Sequence, residues 1–139
     1  MYYVIIGASN ISIEIMNWLM QSGAEVTILE KNLQKVQMIQ NSFGDVCTIG
    51  DPLDIQDLNE SGLGRADMVI ASLENDHDNL IVSQVSKQHF SVDRVVSLLY
   101  SSENKDLFSI LGVDVIIEVS SIVIDNIQQK IGQFLIEEI

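Results

Sequence analysis

Tyr2-Tyr3-Val4-Ile5-Ile6-Gly7-Ala8-Ser9-Asn10-Ile11-Ser12 decides the architecture. A β-rich apolar run ends at Gly7, and then Ile11, Ile15, Trp18 and Leu19 recur at helical spacing until Ser22-Gly23 stops the pattern. Working outward, residues 26–29 read as a second buried strand. A polar helix follows, with Val36 and Ile39 facing inward and Gly44 beyond its end. Residues 46–49 predict a third strand, 54–60 a short helix, and 68–71 a fourth strand. Residues 78–89 predict a helix with Ile81, Val82 and Val85 as its apolar face, 94–99 a fifth strand, and 105–111 a helix closed by Gly112. A sixth strand over 113–117 and a long helix over 120–139 complete the chain. Strands apolar on both faces, each followed by an amphipathic helix, specify an α/β fold. Right-handed crossovers make it a doubly wound, Rossmann-like parallel sheet of six strands with helices on both faces. Ligands of such sheets bind outside the carboxyl ends of the strands, so the loops after strands one to four are the candidate site.

The 139 residues, 47% of them hydrophobic, fit one compact domain, with residues 1–118 as its core and 119–139 as a C-terminal helix. Twenty acidic residues against seven Lys and Arg give a net charge of -13, which disfavours nucleic acid and anionic lipid as partners. The single cysteine, Cys47, cannot form an internal disulfide, and a reducing, cytoplasmic setting is the expectation. Apolar runs such as 113–119 are broken by Asp114 and Glu118 and fall short of the roughly 20 residues of a membrane span, so no direct membrane insertion is expected. Pro52 is the only proline and no low-complexity stretch marks a linker.

Residues 7–12 stand where a dinucleotide fingerprint, G-x-G-x-x-G, belongs, but only the first glycine is present. In that fingerprint the first glycine makes the tight turn, the second lets a pyrophosphate reach the backbone, and the third lets helix pack on strand. Ser9 adds a side chain at the point of close approach, whereas Ser12 is small. The helix start still offers unpaired N–H groups and a positive dipole end, so an anion site is weakened rather than abolished. Glu30 lies 23 positions after Gly7, at the end of the second strand. An acid there bonds both ribose hydroxyls and repels a 2′-phosphate, favouring adenosine or NAD over NADP; alternatively it caps the next helix.

The first turn and Glu30 are joined by Gly50-Asp51 after the third strand, Gly62-Leu63 and Ala66-Asp67 before the fourth, Asp76-x-x-Asn79 opening the next helix, and Leu111-Gly112-Val113-Asp114 before the sixth. In this order and spacing the chain resembles, over essentially its whole length, the N-terminal lobe of the regulator of potassium conductance (RCK) family, the Trk/Ktr-type nucleotide-binding regulatory domain. The resemblance implies a cytoplasmic module, at most peripheral to the inner membrane face through a partner. Such a module binds an adenine nucleotide (NAD(H), ATP, ADP or AMP) and gates a membrane potassium transporter or channel subunit through a homodimer or higher ring. It also implies that Gly7 and the backbone of Ala8, Ser9, Asn10 and Ile11 cradle phosphate, Glu30 holds ribose, Asp51 lines the adenine end, and Asn79 braces the cleft. Lys31 is the nearest cation in sequence. The sequence departs from the family pattern at Ser9, Ser12, Asn10, Pro52-Leu53, Leu73 and Leu98, where glycine, arginine or threonine is usual. Losing the cationic groups among these lowers the local charge available to an oligophosphate. A non-binding dimerisation scaffold of the same fold, or a sensor for another partner protein, is therefore the alternative.

Plainer roles stand beside these. Asp51 either binds or caps the turn before Pro52. The run 74–79 offers oxygen ligands without the spacing of a calcium loop, and Asp76 or Asp78 is expected to cap the helix instead. His77 and His89 are expected at the surface, and Cys47 as a small core residue. No Ser/His/Asp or Cys/His arrangement stands at a plausible turn, and no enzyme activity is expected. In the last helix Val123, Ile127, Ile131, Phe134 and Leu135 form one stripe, with Ile122, Ile124, Ile136 and Ile139 outside it. That surplus points to docking on a partner subunit, unless the helix covers its own sheet or a further lobe.

Overall fold

A computed structural model describes residues 1–137, with side chains described through residue 132. Six parallel strands form one sheet: β1 (Tyr2–Ile6), β2 (Glu25–Glu30), β3 (Cys47–Ile49), β4 (Met68–Ala71), β5 (Arg94–Leu99) and β6 (Val115–Glu118). Their order is β3-β2-β1-β4-β5-β6, so the chain reverses its direction of travel between β1 and β4. The register pairs Ile6 with Leu29 on one side and with Ala71 on the other, which brings the ends of β1, β2 and β4 level. The loops leaving these three ends therefore converge on one crevice.

Side chains alternate across the sheet and sort the helices into two layers. Ile5, Ile28, Cys47 and Ile70 pack under α1 (Asn10–Gln21) and α2 (Leu33–Phe43), through Met16, Leu19, Val36 and Ile39. Val4, Ile6, Val69, Ala71 and Val95 pack on the other face, under α3 (Ile55–Glu60) and α4 (Asp76–Gln88), through Leu58 and Val82. Beside them, Phe108 of α5 (Lys105–Ile110) seats on Leu99 and Val113. Cys47 is buried, and desolvation first, then the charge of Glu30, pushes its thiol up to about 11, as suits a core residue. Every buried side-chain nitrogen or oxygen among the described residues has a hydrogen-bond partner.

The structure corrects the expected face of α1. Ser12, Met16 and Leu19 are the buried line, whereas Ile11 is 47% and Trp18 64% exposed. Residues 12, 16 and 19 share one stripe of a 3.6-residue helix, and the polar Ser12 can stand in it because its hydroxyl is satisfied inside. Strand β6 starts two residues later than expected. Gly112, at φ +87, turns the chain out of α5, and the Val113 N–H donates back to Phe108 O at 3.1 Å, so Val113 closes the helix instead of entering the strand.

The last helix, α6 (Val119–Glu137), leaves β6 directly. Ile122, Val123, Ile124, Ile127 and Ile131 are each about half exposed. Phe134, Leu135, Ile136 and Ile139 lie outside the residues whose side chains are described. Among the described residues no helix is long and apolar enough to cross a membrane.

Candidate functional site

A cleft of about 300 Å³ opens where the loops after β1, β2, β3 and β4 meet, at the crevice the topology predicts. Gly7, Ala8, Ser9, Glu30, Lys31 and Asp51 all line it, bringing together residues up to 44 positions apart in sequence. Gly7 has φ +97, and a Cβ there would lie 3.0 Å from Leu73 Cδ2 and 3.2 Å from Ser72 O. Glycine is therefore required both by the left-handed turn and by the close approach of the β4 loop.

Glu30 is 8% exposed and its carboxylate ties two loops together. Its Oε1 accepts from the Ala8 N–H at 2.9 Å and its Oε2 from the Asn32 N–H at 2.8 Å. A carboxylate has about four acceptor positions, so each oxygen keeps one for an outside donor. The side chain thus preorganises the glycine turn, a role the sequence did not suggest. Helix α2 is capped by Asn32, whose Oδ1 accepts from the Lys35 N–H at 3.2 Å, rather than by Glu30.

Ser9 is the N-cap of α1, its Oγ accepting from the Ser12 N–H at 3.1 Å. Three hydroxyls then run inward: Ser9 to Ser12 at 2.9 Å, Ser12 to Ser72 at 2.8 Å, and Ser72 to the carbonyl of Ile6 at 2.9 Å. The carbonyl can only accept, which orients every proton in the chain. Ser72 donates to Ile6, Ser12 to Ser72, and Ser9 to Ser12. What remains for a ligand at this helix start are the N–H groups of Ser9, Asn10 and Ile11, none of which has an acceptor among the described residues, and the positive end of the helix dipole. Asn10 and Ile11, expected in the phosphate cradle, are not among the residues that line the cleft; Ser9 is the helix-start residue that does.

Asp51 lines the rim and also makes the turn: its Oδ1 accepts from the Leu53 N–H at 2.9 Å, across Pro52. Asn79 is fully buried and stands behind the cleft. Its Oδ1 accepts from the Leu73 N–H at 2.8 Å, while its Nδ2 donates to Leu73 O at 3.1 Å and to Leu98 O at 3.3 Å. It therefore locks the β4 loop to β5.

Lys35, Asn32, Ser72, Asn75 and Asp78 also line the cleft. Lys35, in the first turn of α2, joins Lys31 at the lining, so Lys31 is not the only cation near the site. Glu30, Asp51, Glu74 and Asp78 outnumber these two lysines around the lining. The side-chain amide of Asn75 first, then His77, and across the cleft the charge of Lys31, hold the Asp78 carboxyl below its ordinary 3.8. The cap of α4 is Asn75 rather than Asp76 or Asp78. Asp76 instead accepts from the Tyr100 N–H at 2.8 Å, the Ser101 N–H at 2.9 Å and Asn104 Nδ2 at 3.0 Å. Among the described residues no three His, Cys, Asp or Glu side chains converge as metal ligands.

A model of the TrkA-N domain matches residues 3–119, from the start of β1 into the first residue of α6. The chain belongs to the TrkA-N domain family. It is 25% identical over 117 residues to a Trk system potassium uptake protein TrkA homolog of Methanothermobacter thermautotrophicus, covering 84% of this chain and 54% of that protein. The TrkA-N chain thus spans about half the length of the curated relatives it matches. Among solved structures it superposes on the Kef C-terminal domain of Shewanella denitrificans in its AMP-bound form with a TM-score of 0.84, at 15% identity over 97% of this chain and 82% of that one. The GsuK channel superposes in its NAD-bound structure with a TM-score of 0.78, at 16% identity over 87% of this chain and 22% of the channel. Its ADP-bound structure gives 0.79, at 22% identity over 94% of this chain and 33% of that one. These likenesses establish the shared TrkA-N fold.

Proposed function

We propose that this TrkA-N domain is a cytoplasmic regulatory module that binds an adenine nucleotide and passes the bound state, through a dimer, to a potassium channel or transporter. The observation that carries the reading is the cleft at the β1/β4 reversal. There a glycine turn, an open helix start, a carboxylate with two free acceptor positions and two lysines face one volume of about 300 Å³. A phosphate suits the free Ser9 N–H at the helix start, with Lys31 and Lys35 as the balancing charge. Ribose hydroxyls suit the free positions of Glu30. The relatives named for potassium uptake and the neighbours solved with AMP, ADP and NAD support the same class of ligand and partner. The exposed apolar side chains of α6 support the dimer.

The role is binding, not turnover. The two hydroxyls that line the cleft, on Ser9 and Ser72, are committed to protein acceptors. Calorimetric titration of the purified chain with AMP, ADP, ATP, NAD and NADH tests the reading. Heat that saturates with at least one of them is the expected result, and silence with all five at millimolar ligand defeats it. A scaffold that binds no nucleotide is the second reading, favoured by the carboxylate excess of the cleft. A parent silent toward nucleotides whose Ser9→Gly/Ser12→Gly form binds would decide for it.

A further inference from the structure

The β1 turn divides the cleft into two unequal halves. On the β2 and β3 side stand Glu30, Lys31, Asn32, Lys35, Asp51 and Leu53, with both of the lysines and a carboxylate that can take ribose hydroxyls. On the β4 side stand Leu73, Glu74, Asn75 and Asp78. A dinucleotide lies across such a crevice with one nucleoside on each side and its pyrophosphate over the turn. Here both halves hold two carboxylates and a leucine, but the far half has no lysine of its own to balance them. Leu73 Cδ2 closes to 3.0 Å from the position a Cβ of Gly7 would take, so its methyl group sits directly against the turn. Lys31, the cation that reaches toward this half, already acts on the charge of Asp78.

Several amides at the turn are already engaged. The Ala8 N–H is taken by Glu30, the Ser12 N–H by Ser9 Oγ, and the Ile13 N–H by Ser9 O. The Ser9 hydroxyl donates inward to Ser12, so the side chain adds bulk at the point of phosphate approach without adding a donor. The free Ser9 amide at the cleft and the β2-side lysines match one phosphate group, and a volume of about 300 Å³ lies at the small end of the ~300–1,000 Å³ range of ligand sites.

From these two independent features, and resting on the nucleotide reading above, we propose that the cleft takes a nucleoside monophosphate on its β2 side and rejects a dinucleotide, with Ser9 and Leu73 as the specificity-determining residues. The test is the ratio of dissociation constants for NAD and AMP, measured by calorimetry on the full chain and on Ser9→Gly. The parent is expected to bind AMP at least roughly tenfold more tightly, since one charge-assisted hydrogen bond is worth about that factor. Ser9→Gly removes the side chain and frees the Ser12 N–H, and it is expected to shrink the ratio by roughly tenfold. Should that variant not fold, Ser9→Ala frees the same N–H, and a shrinking ratio is again expected. NAD bound by the parent as tightly as AMP, or a ratio that either folded variant leaves unchanged, overturns the proposal while the nucleotide reading stands. A parent that binds neither compound overturns both.

Discussion

Asn79 shows how a fully buried amide sets the shape of a cleft it does not line. Its three hydrogen bonds hold both backbone polar groups of Leu73 and the carbonyl of Leu98. Asn79→Ala is expected to cost about 2–3 kcal/mol in denaturant unfolding, because buried backbone groups of the β4 loop lose their partner. A loss within a few tenths of a kcal/mol of zero would contradict that role. Gly7 and Glu30 were legible because a strand end, a turn and a spaced acid are local signals. The serine chain was not. Ser12 and Ser72 are 60 positions apart, and their hydroxyls meet only because β1 and β4 pair with Ile6 beside Ala71. The same reason hid the clamp of Asp76, whose acceptors are filled by donors 24 to 28 positions away.

Among the elements, β1, β4 and β5 have the bounds that their apolar runs and flanking turns suggest, since strands in mid-sheet are buried on both faces and carry the clearest signal. Strand β6 lies at the edge, half-covered, and its start is set by the way α5 closes rather than by its own sequence. The junction is tied by Asp114, whose Oδ2 accepts from Lys87 Nζ of α4 at 2.7 Å and from the Val95 N–H at 2.8 Å. Burial pushes the Asp114 carboxyl up, but Lys87 and the Val95 N–H together bring it below its ordinary 3.8. A folded value lowered in this way contributes stability above the ordinary value and loses it as the pH falls through the folded one. The stability gap between the parent and Asp114→Asn is therefore expected to be the same at about pH 7 and pH 5, and to shrink below about pH 4. A gap that widens on acidification would contradict the pairing.

For the whole molecule, α6 carries five half-exposed aliphatic side chains among the described residues, a surface a monomer would leave in water. A second copy is the expected cover, giving a dimer in sedimentation velocity at tens of micromolar. Ile127→Asp is expected to shift it to monomer while leaving the far-ultraviolet circular dichroism unchanged. A monomeric parent would contradict the dimer. With a net charge of -13 on each copy, added salt is expected to tighten the association by screening. The surplus of apolar residues in this helix was readable from its pattern, whereas its cover, a second copy or a further lobe, is not written in the helix itself.

The same whole-molecule view makes the cleft at the strand reversal the centre of the account, because the fold, the family and the arrangement of donors all meet there. The most direct measurement is a set of amide nuclear magnetic resonance spectra recorded as AMP is added. Shifts concentrated on Ala8 to Ser12 and on Glu30 to Lys35, saturating with ligand, are predicted. Spectra that stay unchanged at millimolar AMP, or that move only at residues remote from these two loops, would contradict it.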